Sequence, residues 1–248
     1  MKILYDNHIF NATIDALTEN QDYAFTTALI DTRLSKVGRT VDDSAQTIVF
    51  SFDAAVDVDY FLILNHNITL GATVKIQAHD SDSWGSPSVD ETLTVGDYII
   101  IEFDETQSYQ YWRLYIDDAS NPDEYIQIAY CYLGEALDMP GMNRGMIIPR
   151  KSNSVSTKSM SGQLYGDVRL KYKAAEITFN NVDETERQAI NDFFDTVDVI
   201  RPFVLLIWED DLDVEPPIYC SLTKELEWNK LDIIGLLWSL VLSFEECF

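Results

Sequence analysis

Residues 46–84 read QTIVFSFDAAVDVDYFLILNHNITLGATVKIQAHDSDSW, and this stretch decides the fold. Three strand-like runs, QTIVFSFD, VDYFLILNHN and TVKIQAHD, follow one another with only short polar breaks. Apolar residues alternate within them, at Ile48, Phe50 and Phe52, at Phe61 and Ile63, and at Val74 and Ile76. A period of two needs one buried sheet face, and no helix of crossover length separates the runs. The expectation is a compact all-β domain of sandwich or jelly-roll type.

Outward from this stretch, a loop (HDSDSWGSPSVDE) leads to further strands at 97–103 (DYIIIEF), 111–117 (YWRLYID) and 125–133 (YIQIAYCYL), each bounded by turn residues. Residues 1–138 are therefore assigned to one jelly-roll domain. The segment that follows is rich in Gly, Pro, Met, Ser and basic residues without a sustained period, so 139–165 is assigned as a linker arm. Residues 166–248 form a second domain. It opens on an alternating strand (DVRLKYKAAEITF) and then changes period, with Ile190, Phe193, Phe194 and Val197 at helical spacing behind Asp183 and Glu186, a capping-box pair. The helix is expected to pack on strands at 203–209, 217–228 and 236–246. In the last of these Trp238, Leu240, Leu242 and Phe244 share a face.

At 248 residues, 46% hydrophobic and 12% aromatic, the chain has the apolar material for packed cores, so disorder is not expected. Cys131, Cys220 and Cys247 are widely spaced and form no metal or redox motif, and they read as small apolar fillers. The opening MKILYDNHIF lacks the apolar core of a signal peptide, and no run reaches membrane-spanning length. A soluble protein made in a cytoplasm and not associated with a membrane is expected.

Charge is uneven. Residues 1–138 carry 6 basic and 24 acidic side chains, a net of −18, whereas 139–248 carry 11 and 18, a net of −7. Seven cations, Arg144, Arg150, Lys151, Lys158, Arg169, Lys171 and Lys173, stand in 139–173 against the single acid Asp167. One reading is a solvated linker face. The other is an inter-subunit contact, the basic arm of one copy docking on the acidic surface of the next. Specific nucleic-acid binding is set aside, because a net charge of −25 repels phosphate.

Little in the chain suggests catalysis. His8, His66 and His79 stand apart from any metal or nucleophile motif, and His66 reads as a structural residue at a strand end. Acidic runs such as WEDDLDVE lack the spacing of a calcium loop. Paired carboxylates for sugar hydrolysis cannot be recognised without geometry. No catalytic residue, metal site or cofactor is assigned. Aromatic side chains in loops are the better candidates for ligand contact, since sugars stack on their faces. Trp84, Tyr109 and Tyr111 are the possible glycan contacts, whereas Trp112 reads as core.

The runs ALIDTRLSKVGRT (28–40), IVFSFDAAVDVDYFLILNHNITLGATVKIQAHDSDSW (48–84) and YQYWRLYIDD (109–118) resemble the discoidin-like, galactose-binding jelly rolls of long-tailed bacteriophage tail proteins. The second half, with one helix ahead of Arg201-Pro202-Phe203 and the closing run WSLVLSFEE, resembles the tail-tube-like fold of distal-tail and baseplate proteins. That resemblance implies a mainly β protein in which a jelly roll precedes a tail-tube-like sandwich or barrel with one helix. It further implies a non-enzymatic virion component at the tail tip. Its partners would be copies of itself in a ring and other tail-tube and baseplate proteins. A carbohydrate-binding module that contacts a host glycan is the alternative, and the two can coexist.

Overall fold

A computed structural model describes residues 1–141, 148–207, 215–231 and 237–247. The protein is mainly β, built from antiparallel sheets. Its first strands in chain order are β1 (Lys2–Leu4), β2 (Thr13–Ala16), β3 (Gly38–Arg39), β4 (Gln46–His66), β5 (Thr73–His79), β6 (Val89–Leu93), β7 (Tyr98–Asp117) and β8 (Gln127–Gly134). After them come β9 (Ala136–Asp138), β10 (Arg150–Ser152), β11 (Val155–Lys158), β12 (Leu164–Asp167), β13 (Lys171–Val182), β14 (Phe203–Leu206), β15 (Ile218–Leu222), β16 (Trp228–Lys230) and β17 (Trp238–Glu246). A single-turn helix α1 (Phe25–Ala28) lies between β2 and β3, and α2 (Glu184–Val197) follows β13.

Two compact units divide the chain, and the division differs from the sequence assignment. Asp6–Ala136 forms the jelly roll, whereas Met1–Tyr5 joins Leu137–Cys247 in the other unit. The first five residues belong to the second domain because β1 is one of its strands, pairing Lys2, Ile3 and Leu4 with Leu206, Leu205 and Val204 of β14. The jelly roll is therefore an insertion between β1 and β9, which are neighbours in the second domain's sheet.

In the jelly roll the strand order is β3-β8-β4-β7-β5-β6, with β2 also on β4. The sequence suggests separate short strands at 46–53 and 58–67, and at 97–103 and 111–117. Instead β4 and β7 each run unbroken through both stretches. Their pairing shifts register between Ser51 and Val56 and again between Val58 and Tyr60. A bulge lets one strand bend without ending, which is why the break at DAAVD is a kink rather than a loop. It also changes which residues face inward: Ile48 and Phe50 before the shift, Phe61 and Ile63 after it, all within one buried cluster with Trp112 and Leu114.

The second domain's sheet runs β10-β13-β17-β15-β14-β1-β9, with β16 on β17. One face packs against α2. The helix starts at the expected capping box, where the Asp183 side chain accepts from the Glu186 N–H and Glu186 accepts from the Asp183 N–H. It buries Ile190, Phe193 and Val197 against Ile177, Phe179, Leu240, Leu242 and Phe244. No helix among the described residues is long and apolar enough to cross a membrane.

Candidate functional site

The segment assigned as a linker arm carries strands. β10 continues the sheet on β13, and between them β11 and β12 form a separate antiparallel hairpin, pairing Val155 with Asp167 and Lys158 with Leu164. Its turn is closed by Ser159 N–H donating to the Gln163 carbonyl at 2.8 Å, with Gly162 at φ +85°. A left-handed residue there suits glycine. Every residue of both hairpin strands is exposed. Six large apolar side chains stand in water, Val155, Met160, Leu164, Tyr165, Val168 and Leu170, from 50% exposed at Val155 to fully exposed at Met160. An isolated two-stranded hairpin is marginal on its own, and apolar side chains concentrated on one mark a contact surface.

Three of the seven cations are paired within the chain. Lys151 Nζ donates to Glu245 Oε1 at 2.8 Å, Arg169 Nε to Asp167 Oδ2 at 2.8 Å, and Lys173 Nζ to Glu215. For Lys151 the cause is strand order, since β10 pairs β13 and β13 pairs β17, which carries Glu245. Arg150, Lys158 and Lys171 make no ion pair among the described residues. Arg144 lies outside the described residues, as does most of the acidic run 208–215.

The three candidate aromatics are also separated. Tyr109 is half-buried against the core, its ring 6.3 Å from that of Trp112, because the inward-facing positions of β7 switch between Tyr109 and Trp112. It stands within a strand on the core-facing side of the sheet, where the sequence reading has it beside a loop. Tyr111 lies beyond the switch and alternates with core residues, as do Arg113 and Tyr115. These three share the outer face of the sheet, opposite His79, Gln77 and Lys75 of β5.

Trp84, from the loop after β5, folds over this face. The Arg113 guanidinium lies 4.5 Å from its ring centroid, and the indole N–H donates to Asp82 Oδ1 at 2.7 Å. Arg113 Nε and Nη2 both donate to Gln77 Oε1, at 2.8 and 2.5 Å, and Gln77 Nε2 donates to Asp90 Oδ1 at 2.8 Å. Desolvation lowers the Arg113 pKa from its usual value, and the Asp90 carboxyl is held below its ordinary range by Gln77 and Lys75. The result is a rigid strip, aromatic at Trp84 and polar along Arg113, Gln77 and Asp90. It sets a planar aromatic group beside polar side chains, a combination that suits a polyhydroxylated ligand. Sequence alone did not single out Arg113, Gln77 or Asp90. The period-2 alternation around Tyr111 was the available signal, and the cross-strand partners were not.

Nucleophilic chemistry has no foothold at the buried thiols. Cys131 and Cys220 lie in the two cores, and burial pushes both thiols well above their ordinary range. Among the described residues no group of three or more His, Cys, Asp or Glu is placed to hold a metal ion.

No family model matches the chain, and no curated protein matches it. Among solved structures it is similar to a CBM32 module of the Clostridium perfringens GH89 enzyme in complex with GalNAc-β-1,3-galactose. That match has 14% identity, covers 54% of this chain and 99% of the module, and has a TM-score of 0.41. It is similar as well to the family 32 module of C. perfringens NanJ in complex with galactose, at 14% identity, 54% and 98% coverage and a TM-score of 0.42. A third is chitosan-binding module 1 of a Paenibacillus sp. IK-5 chitosanase/glucanase, at 16% identity, 53% and 100% coverage and a TM-score of 0.41. Likenesses of this degree say nothing of a ligand.

Proposed function

We propose that this protein is a non-enzymatic structural subunit that assembles with copies of itself through its second domain, in a ring at the distal end of a bacteriophage tail. The observation that carries self-assembly is the β11–β12 hairpin, both of whose strands are wholly exposed and which, with its flanks, gathers six large exposed apolar side chains within residues 155–170. Such a hairpin gains its stability from a partner. Residues 150–173 hold six cations and one acid in a chain of net charge −25, so a neighbouring copy offers the opposite potential. A hairpin meeting a different surface makes a heterologous contact, which closes into a ring when the rotation permits. Sedimentation of the full chain and of a variant with 154–169 replaced by a two-residue turn tests this. Loss of assembly in the variant is expected, and unchanged assembly rejects it. The tail setting rests on the resemblance of the sequence, and imaging of particles labelled at this subunit tests it.

A second reading concerns the inserted jelly roll, as a carbohydrate-binding module. The stacking of Trp84 on Arg113, with Gln77 and Tyr111 on the same face, favours it. It predicts glycan-array binding that Trp84→Ala abolishes. Silence of the wild-type protein across such an array rejects it.

A further inference from the structure

The second domain's sheet carries α2 on one face. On the other, among the described residues, the floor is Ala174, Thr178, Thr223, Val241 and Ser243, with Val241 44% exposed. Register sets Glu176 beside Ser243 and Thr178 beside Val241, so these side chains form a single surface. Two cavities of about 760 and 810 Å³ overlap along it, sharing Glu176, Thr223, Lys224, Val241 and Ser243. Glu176 is paired with Lys224 at 2.8 Å, whereas Glu225 and Glu227 on the rim make no ion pair among the described residues. The trough is thus shallow, floored by small side chains and acidic at one rim.

From this trough and the self-assembly reading on which it rests, we infer that its occupant is the β11–β12 hairpin of a second copy. Small floor residues let another strand layer approach to ordinary sheet-packing distance, about 10 Å. Leu164 and Lys158 are cross-strand partners on one face of the hairpin: Leu164 supplies the apolar cover that Val241 lacks, and Lys158, which makes no ion pair among the described residues, is the cation for Glu225 and Glu227. Within its own chain the hairpin is exposed and the trough is open, so neither satisfies the other. Because hairpin and trough are different surfaces of one domain, each copy can give one contact and receive one.

The test uses two full-length variants, a hairpin variant (Leu164→Asp with Tyr165→Asp) and a trough variant (Thr178→Arg with Val241→Arg), followed by sedimentation velocity. Each alone is expected to lose self-association by at least about tenfold, the scale of one interface hot spot. Their equimolar mixture is expected to form 1:1 dimers and nothing larger, since only one hairpin and one trough remain intact in each pair. If the trough variant assembles like the wild type while the hairpin variant does not, the hairpin docks elsewhere: this inference falls and self-assembly stands. A mixture that stays monomeric also overturns it. A monomeric wild type overturns both. If the trough variant fails to fold by circular dichroism, Glu225→Lys with Glu227→Lys, off the sheet floor, takes its place.

Discussion

The ring of Tyr5 meets that of Phe193 edge-on, with centroids 5.2 Å apart and planes at 83°, and Phe193 in turn meets Phe203 at 5.1 Å and 88°. These contacts join the start of the chain to a helix and a strand that follow the jelly roll in sequence. They give the amino-terminal residues a structural duty in the second domain. Phe193→Ala is expected to cost that domain about 3–5 kcal/mol. Tyr5→Leu, which keeps the bulk, is expected to cost about 1 kcal/mol, the scale of a T-shaped aromatic pair. Chemical denaturation followed by probes in each domain checks this: the jelly-roll transition should stay in place.

A buried polar knot holds one end of the jelly roll. Asp118, 2% exposed, accepts from the Thr69 N–H at 2.9 Å, from its hydroxyl at 2.5 Å and from Asn121 Nδ2 at 2.9 Å. Asp118→Ala leaves three donors without this acceptor, and a loss of at least about 2 kcal/mol is expected. Calorimetric melting of the variant checks it.

Packing leaves Gly38 no room for a side chain. A Cβ there would run into the ring of Phe25, which is fully buried. Gly38→Ala is expected to destabilise the jelly roll by about 1–3 kcal/mol through overpacking, measured as a lower denaturation midpoint at unchanged slope.

His66 supplies a pH dependence. Its Nδ1 accepts from the Ile68 N–H at 3.1 Å, and its Nε2 is buried without a hydrogen-bond partner among the described residues. Burial lowers its pKa below the ordinary 6.5, opposed by the charge of Asp97. The unfolded chain therefore binds a proton more readily than the folded one. This contribution to stability is complete above pH 6.5 and is lost as pH falls through 6.5 towards the lowered folded value. Denaturation between neutral and mildly acidic pH should show that slope in the wild type and a shallower one in His66→Gln.

The aromatic residues separate binding from stability. On the carbohydrate-binding reading, Trp84→Ala is expected to remove glycan affinity while leaving the fold intact, because Trp84 lies on the sheet's outer face over Arg113. Tyr109→Ala is expected to destabilise the jelly roll, because its ring packs on the core and on Trp112. Paired isothermal titration and thermal melts distinguish the two.

Local signals in the sequence were legible where one element decides them. The capping box at Asp183 and the spacing of Ile190, Phe193 and Val197 identify α2, and the alternation in β17 identifies its buried face. Long-range pairing was not legible. Nothing in KIL at residues 2–4 says that its partner is Phe203–Leu206, since any short apolar run satisfies the same sheet edge. The run DAAVD reads as a break between strands because a bulge and a loop expose the same residues, and only the register of β4 on β7 separates them. The same limit hid the strip around Arg113, whose members come from three strands and a loop. It also hid the pairing that neutralises Lys151 and Lys173.

Self-assembly through the second domain is tested most directly by the mass of the full chain in solution, measured by analytical ultracentrifugation across a dilution series with and without the hairpin at 154–169. The account predicts a closed oligomer that becomes a folded monomer when the hairpin is removed. A folded monomer with the hairpin intact, at every concentration, would contradict it.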